Sequence, residues 1–316
     1  MSSNRPTKMA HYVADADEQG LGAVDAVRVS DRTSNLWLDA WRDLRGRWMF
    51  WVAGVIIALL VVVALFPEWF TSVSPTACDL DYSLEPAAPG HPLGFNLQGC
   101  DVYSRVIYGT RTSLSVGLMV TVLIAAIGIV MGTFAGYFGG WIDSVLMRIG
   151  DIFFAIPYIL AAVVIMSIFL KDRNILIISL AIGIFGWPST ARILRSEVLR
   201  VKQADYVMAS EALGLSRLRT MFTHVLPNSI APVIVVSTVG LAAAITAEAT
   251  LSFLGVGLPG SVMSWGNDIS AAQDRLRTDP MPLIYPSIAL SLTVLSFIML
   301  GETVRDALDP KARALR

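Results

Sequence analysis

Few side chains in this sequence are spaced for covalent or metal chemistry. The three histidines, His11, His91 and His224, lie far apart and show no metal-ligand spacing. No G-x-x-x-x-G-K-[ST] run is present to cradle a nucleotide phosphate, and no G-x-S-x-G run to present a nucleophilic serine. Gly255, Gly257 and Gly260 spell G-x-G-x-x-G. They follow an apolar run and precede a polar one, without the strand–turn–helix setting that dinucleotide binding needs, so the match is read as chance. An enzyme reading has no residues to stand on. Two thiols and one carboxylate remain. Cys78 and Cys100 share one long polar segment and are too far apart for a C-x-x-C redox pair. On the oxidising side of a membrane they are expected to form a disulfide, with two free thiols as the alternative. Glu248 is a lone ionisable residue in apolar surroundings, which makes it a candidate for a substrate pathway. Hydration or pairing near an interface is the plainer reading.

The elements that hold these residues follow from composition. Hydrophobic residues make up 54% of the 316-residue chain and charged residues only 16%, against about 25% charged in typical soluble proteins. Mean hydropathy is +0.61. Disorder over the whole chain is excluded, because disordered chains are polar and charge-rich. Net charge is −1, so no basic excess is available for nucleic acid. What remains is an all-α polytopic membrane protein. A helix needs about 20 apolar residues to cross a hydrocarbon core of about 30 Å. Six runs fit: 48–67, 112–142, 152–170, 174–191, a run around 232–254, and 280–301. The first begins near residue 48, which is late for a cleaved signal, so a retained anchor is expected. With the N-terminus inside, the inner segments hold 18 Lys and Arg and the outer segments 6. That bias predicts both termini in the cytoplasm. The resulting plan is a disordered cytoplasmic N-terminus (1–33), an amphipathic interfacial helix (34–47), a first span (48–67) and an extracytoplasmic loop (68–111). A core with the other five spans (112–310) and a short cytoplasmic tail (311–316) follow.

Several signals lie within or beside the spans. Gly128, Gly132, Gly136 and Gly140 recur every four residues and should form one packing seam. Pro157, Pro188 and Pro286 lie in or near spans three, four and six, where each can kink its helix. Leu36, Trp37, Trp41, Leu44 and Trp48 form an apolar stripe at helical spacing, with Asp and Arg on the other sides. That pattern predicts a helix lying on the membrane face, or else an extension of span one.

The longest inner polar stretch after the N-terminus is 192–228. Tyr206, Ala209 and Leu213 fall on one helical face there, with Met208 and Ala212 beside them, and Gly214 stops the helix. A short helix held between two spans suits docking into a partner's groove. An ordinary amphipathic loop helix is the alternative. The stretch resembles the EAA loop of bacterial ABC importer permeases, whose pattern is E-A-A-x3-G-x9-I-x-L-P. It reads Met208-Ala209-Ser210, three residues, Gly214, nine residues, then His224-Val225-Leu226-Pro227. Met208 replaces the acidic residue, Ser210 the second alanine and His224 the isoleucine. Further segments narrow the resemblance: LWLDAWRDLRGRWMFWVAGV (36–55), HPLGFNLQGCDVYSRVIYGTRTSL (91–114), DIFFAIPYIL (151–160), AEATLSFLGVGLP (247–259), SWGNDI (264–269) and TVLSFIMLGETVRDALDP (293–310). Together they are similar to the C-type permease of dipeptide and oligopeptide importers, from about residue 34 to 312. Family members usually carry Thr-Asp at the Phe95-Asn96 position and Arg where this chain has Cys100. A cysteine there, matched by Cys78, strengthens the expectation of a disulfide.

The resemblance implies the type I ABC importer permease fold, with six transmembrane helices and a coupling helix at about 203–215. Asp205, Tyr206, Met208, Ala209, Ser210, Glu211, Ala212 and Gly214 would then face the ATPases. The implied partners are a homologous second permease, two cytoplasmic ATPase subunits, an extracytoplasmic substrate-binding protein and the lipid bilayer. ATP and magnesium would be bound by the ATPases, with no cofactor in this chain. The competing reading is a secondary transporter or channel driven by an ion gradient. Such proteins often show inverted repeats or charged residues near the bilayer midplane. No internal repeat is visible, and Glu248 lies off centre.

Overall fold

The computed structural model describes residues 36–308. The polar segment expected at 1–33 and the tail expected at 311–316 lie outside the described residues. Within them the chain is helical, without a strand longer than an isolated bridge. The helices are α1 (Leu36–Arg45), α2 (Trp48–Leu65), α3 (Val102–Phe138), α4 (Gly140–Ala155), α5 (Tyr158–Ile168), α6 (Ile175–Val201) and α7 (Asp205–Ala212). They continue as α8 (Arg217–Thr220), a π turn (Met221–Val225), α9 (Leu226–Ser229), α10 (Ala231–Phe253), α11 (Trp265–Ala272) and α12 (Met281–Leu308).

Five helices, α2, α3, α6, α10 and α12, are long and apolar enough to cross a bilayer, and the pair α4–α5 makes up a sixth passage only as a bent unit. The run expected as one straight span at 152–170 is therefore broken, with a bend of 77°. The cause is local. Pro157 has no amide hydrogen to donate, and the residue before a proline is pushed out of helical geometry. Ile156 accordingly sits at φ −90°, ψ 121°, and Pro157 stands at the N-cap of α5. Pro188 and Pro286, by contrast, lie buried inside α6 and α12, which continue past them.

The helix α3 begins at Val102, ten residues before the charge-free run, because both of its arginines find partners. Arg105 Nε donates to Asp268 of α11 at 2.7 Å. Arg111 donates to the carbonyls of Ala64 and Leu65 at 2.7 and 2.9 Å. The last carbonyls of a helix have no partner within it, so Arg111 satisfies the end of α2 and places its charge at the negative dipole end. Asp101 caps the start of α3 by accepting from the Ser104 amide at 2.7 Å.

The α3–α6 pair packs most extensively, and glycine makes that possible. A methyl group at Gly128 would stand 2.8 Å from the Thr190 side chain. At Gly132 it would stand 2.5 Å from the Ala191 carbonyl oxygen, and at Gly136 2.9 Å from that of Arg195. Gly140, expected in the same seam, is outside it. Gly139 and Gly140 take φ of 66° and 56° and turn the chain from α3 into α4, a conformation that a side chain disfavours. Two ion pairs then hold α4 against α6, Arg195–Asp143 at 2.6 Å and Arg192–Asp151 at 2.8 Å.

The helix α1 is separate from α2 rather than an extension of it, broken at Gly46–Arg47. Arg47 bridges Asp43 at 2.8 Å and Asp306 of α12 at 2.7 Å. Trp41 and Trp48 remain exposed beside this joint.

Candidate functional site

The segment between α6 and α10 builds a small platform. Val207 of α7 is 1% exposed and packs with Leu194 and Val198 of α6 and Met221 and Val225 of the π turn. Burial of a valine side chain contributes about 1.5–3 kcal/mol relative to leaving it exposed. Ser210, three residues on, lies on the same inner face and donates its hydroxyl to the Val207 carbonyl at 2.7 Å. Polar ties supplement this anchor. Tyr137 at the end of α3 donates to Glu211 at 2.9 Å, and Lys202 donates to the Tyr137 carbonyl at 2.6 Å. Gly214 (φ 88°) ends the helix, with the Leu215 amide donating to the Ser210 carbonyl at 3.2 Å.

The opposite face of α7 is open. Asp205, Tyr206, Met208, Ala209, Glu211, Ala212 and Gly214 are all exposed, and Leu213 is 82% exposed. Of the positions expected on a docking surface, Ser210 alone faces inward, because its spacing from Val207 puts it on the buried stripe. Val207, Tyr137 and Lys202 hold the platform in place and are not marked by the motif pattern. An apolar residue three positions before Ser210 is the signal that locates the anchor.

A groove of about 510 Å³ runs along α3, the α4–α5 bend, α6 and α10. Its wall is largely apolar, with Phe153, Phe154 and Phe185 near the bend and Thr121, Ser189 and Ser237 as polar points. Glu248 does not line it. The residue is 0% exposed, accepting hydrogen bonds from Ser252 at 2.9 Å and Ser113 at 3.3 Å. Its carboxylate thus ties α10 to α3 within the chain. Trp265 seals the same region, donating from Nε1 to the Val106 carbonyl at 3.0 Å.

At the other end of the bundle, Cys78 and Cys100 are joined by a disulfide that closes the segment before α3. His91 Nδ1 lies 3.0 Å from Asp101, the cap of α3, so the closed loop and the helix start form one unit. A cavity of about 580 Å³ with several polar side chains in its wall opens beneath the disulfide. Among the described residues no group of His, Cys, Asp and Glu is arranged to hold a metal ion.

Comparisons with known proteins agree with this arrangement. Residues 128–314 match the family described as Binding-protein-dependent transport system inner membrane component. Residues 35–89 match the N-terminal TM domain of oligopeptide transport permease C. The chain is 34% identical to the oligopeptide transport system permease protein OppC of Bacillus subtilis (strain 168), over 92% of this chain and 95% of that protein. It is 35% identical to the dipeptide transport system permease protein DppC of Alkalihalophilus pseudofirmus, over 88% and 91%. It is 33% identical to the glutathione transport system permease protein GsiD of Pectobacterium atrosepticum, over 88% and 92%. Among solved structures, one of the MetNI methionine ABC transporter in inward-facing conformations matches 64% of this chain and 95% of its own, with a TM-score of 0.50 at 17% identity. That likeness bears on the fold, the helical permease fold of type I ABC importers. With seam, bent passage and platform all inside the matched range, the chain belongs to the binding-protein-dependent transport system inner membrane component family.

Proposed function

We propose that this chain is a permease subunit of an ATP-driven importer of peptides or chemically related ligands, and that it forms half of the pathway with a homologous second permease. The carrying observation is α7: one face is locked into the bundle by Val207, and the other is open with Tyr206, Met208 and Leu213 exposed. A helix in that state moves with the spans and leaves its outer face for a partner's groove. Two cytoplasmic ATPase subunits bind ATP and magnesium and close on one another, and α7 carries that movement into α6 and α10. The groove along α3, α6 and α10 is this subunit's share of the pathway. An extracytoplasmic substrate-binding protein delivers the ligand at the disulfide end. The subunit itself does no covalent chemistry. The peptide reading is supported by relatives whose names specify oligopeptide, dipeptide and glutathione transport. Both termini lie in the cytoplasm, in line with the 18-to-6 bias of Lys and Arg.

Ala209→Arg places a bulky charge on the open face, and Gly214→Asp puts a side chain where φ is 88°. Both variants should insert into the membrane normally. Both should lose ATPase co-purification, or keep hydrolysis while losing uptake in reconstituted vesicles. Wild-type values of recruitment, hydrolysis and uptake for both variants would overturn the coupling role and favour gradient-driven transport.

A further inference from the structure

The cavity beneath the disulfide has a composition unlike the groove. Arg105 and Arg173 line it together with Asn96, Gln98, Asn267 and Ser270, and no carboxylate lines it. Both guanidinium groups are held by hydrogen bonds within the chain. Arg105 turns Nε and Nη2 to Asp268, which lies outside the cavity wall. Arg173 donates from Nη1 to the Gly255 carbonyl at 3.0 Å and from Nε to that of Met166 at 3.4 Å. Among the described residues no other hydrogen bond holds Nη1 of Arg105 or Nη2 of Arg173. The two heads are thus held in place, each with an edge left over, among neutral amide and hydroxyl groups. Arginine pre-oriented in this way recognises carboxylates, because its planar donors match the two oxygens. The walls come from four separate parts of the chain: the disulfide-closed loop and its approach, the start of α3 with Arg105, the α5–α6 connection and the α10–α11 region.

We propose that this cavity is a binding site for the C-terminal carboxylate of a peptide, with Arg173 as its main ligand and Arg105 as the second. This rests on the peptide-importer reading. It extends that reading by giving the permease its own selectivity for free peptide acids, in addition to whatever a binding protein imposes.

The test uses the purified full-length chain in detergent, without ATPases or binding protein. The probe is a tripeptide with benzoylphenylalanine at its middle position, as the free acid and as the C-terminal amide. Photolabelling by the acid should map to residues 96–105 and 255–271 and exceed labelling by the amide roughly tenfold, the scale of one lost charge-assisted hydrogen bond. Arg173→Gln should abolish the preference, and Arg173→Lys should restore part of it. Equal labelling by acid and amide would overturn the proposal, as would an undiminished preference in Arg173→Gln. Inorganic phosphate competing as well as an unlabelled tripeptide acid would mark a general anion trap and also overturn it. Peptide uptake by the assembled transporter is measured separately. Preferential labelling without ATP-driven uptake would sink the importer reading and leave the carboxylate site standing.

Discussion

Single residues here act mainly by what they allow to come close. The α3–α6 seam depends on the missing side chains of Gly128, Gly132 and Gly136, since in lipid no hydrophobic effect draws helices together and close backbone approach must supply the attraction. Gly132→Val should lower stability by about 1–3 kcal/mol, the usual cost of overpacking. The thermal midpoint of the purified chain should fall accordingly, whereas Gly240→Ala, at a glycine with open space around its Cβ position, should leave it unchanged. Glu248 works in the opposite sense, as a residue that binds its surroundings together. Glu248→Gln keeps an acceptor oxygen for one of Ser252 and Ser113 and turns an amide NH2 to the hydroxyl oxygen of the other, while Glu248→Ala leaves both hydroxyls without their carboxylate partner. An unsatisfied buried polar group costs about 1–3 kcal/mol. The alanine variant should therefore lose stability in a melting assay and the glutamine variant should keep most of it. Equal stability of the two variants would favour a pathway role for Glu248 over a structural one.

At the scale of elements, the platform between α6 and α10 is held by local chemistry, and the proposed mechanical link depends on it. The anchor and the proposed docking face of α7 can be broken separately. Val207→Asp buries a carboxylate in the apolar cluster of Leu194, Val198, Met221 and Val225, which forces the helix off the bundle. Amide exchange across Asp205–Ala212 should then accelerate, by at least the roughly 1.5–3 kcal/mol of lost valine burial. Ala209→Arg should leave that exchange unchanged, because Ala209 faces away from the bundle. The existence and order of the long helices were legible from charge-free runs, and so was the stop at Gly214. The break in the third run was marked by Pro157, but a proline alone does not distinguish a kink from a full bend: Pro188 and Pro286 sit within unbroken helices. The early start of α3 was hidden because charge-free length ignores arginines whose partners are distant in sequence, Asp268 for Arg105 and the end of α2 for Arg111. The inward turn of Ser210 was hidden for a related reason: the motif gives spacing, while the buried face is chosen by α6 and the π turn.

For the whole molecule, the two ends differ in chemistry, and that difference underlies the proposed orientation in the bilayer. One end carries α7, the Arg192–Asp151 and Arg195–Asp143 pairs and the joint of α1 with α12. The other carries the disulfide, the cavity beneath it and α11. In the sequence, the segments proposed as inner hold 18 Lys and Arg against 6 in those proposed as outer, and positive residues are retained on the cytoplasmic side during insertion. A disulfide belongs in an oxidising compartment, which favours the same proposed orientation, with the second end outside. The charge bias and the disulfide involve different residues. The chain also supplies a clean background for testing the orientation, since no free cysteine is present among the described residues. Ser261→Cys lies on an exposed stretch of the disulfide end, and Ser216→Cys on an exposed stretch beside α7. A membrane-impermeant maleimide added to intact cells should label the first and spare the second. Opening the cells should expose Ser216→Cys as well, and unsubstituted protein should stay unlabelled throughout. Labelling of Ser216→Cys in intact cells, with Ser261→Cys protected, would invert the molecule. The α7 face would then be out of reach of any cytoplasmic ATPase, and the importer reading would fail with it.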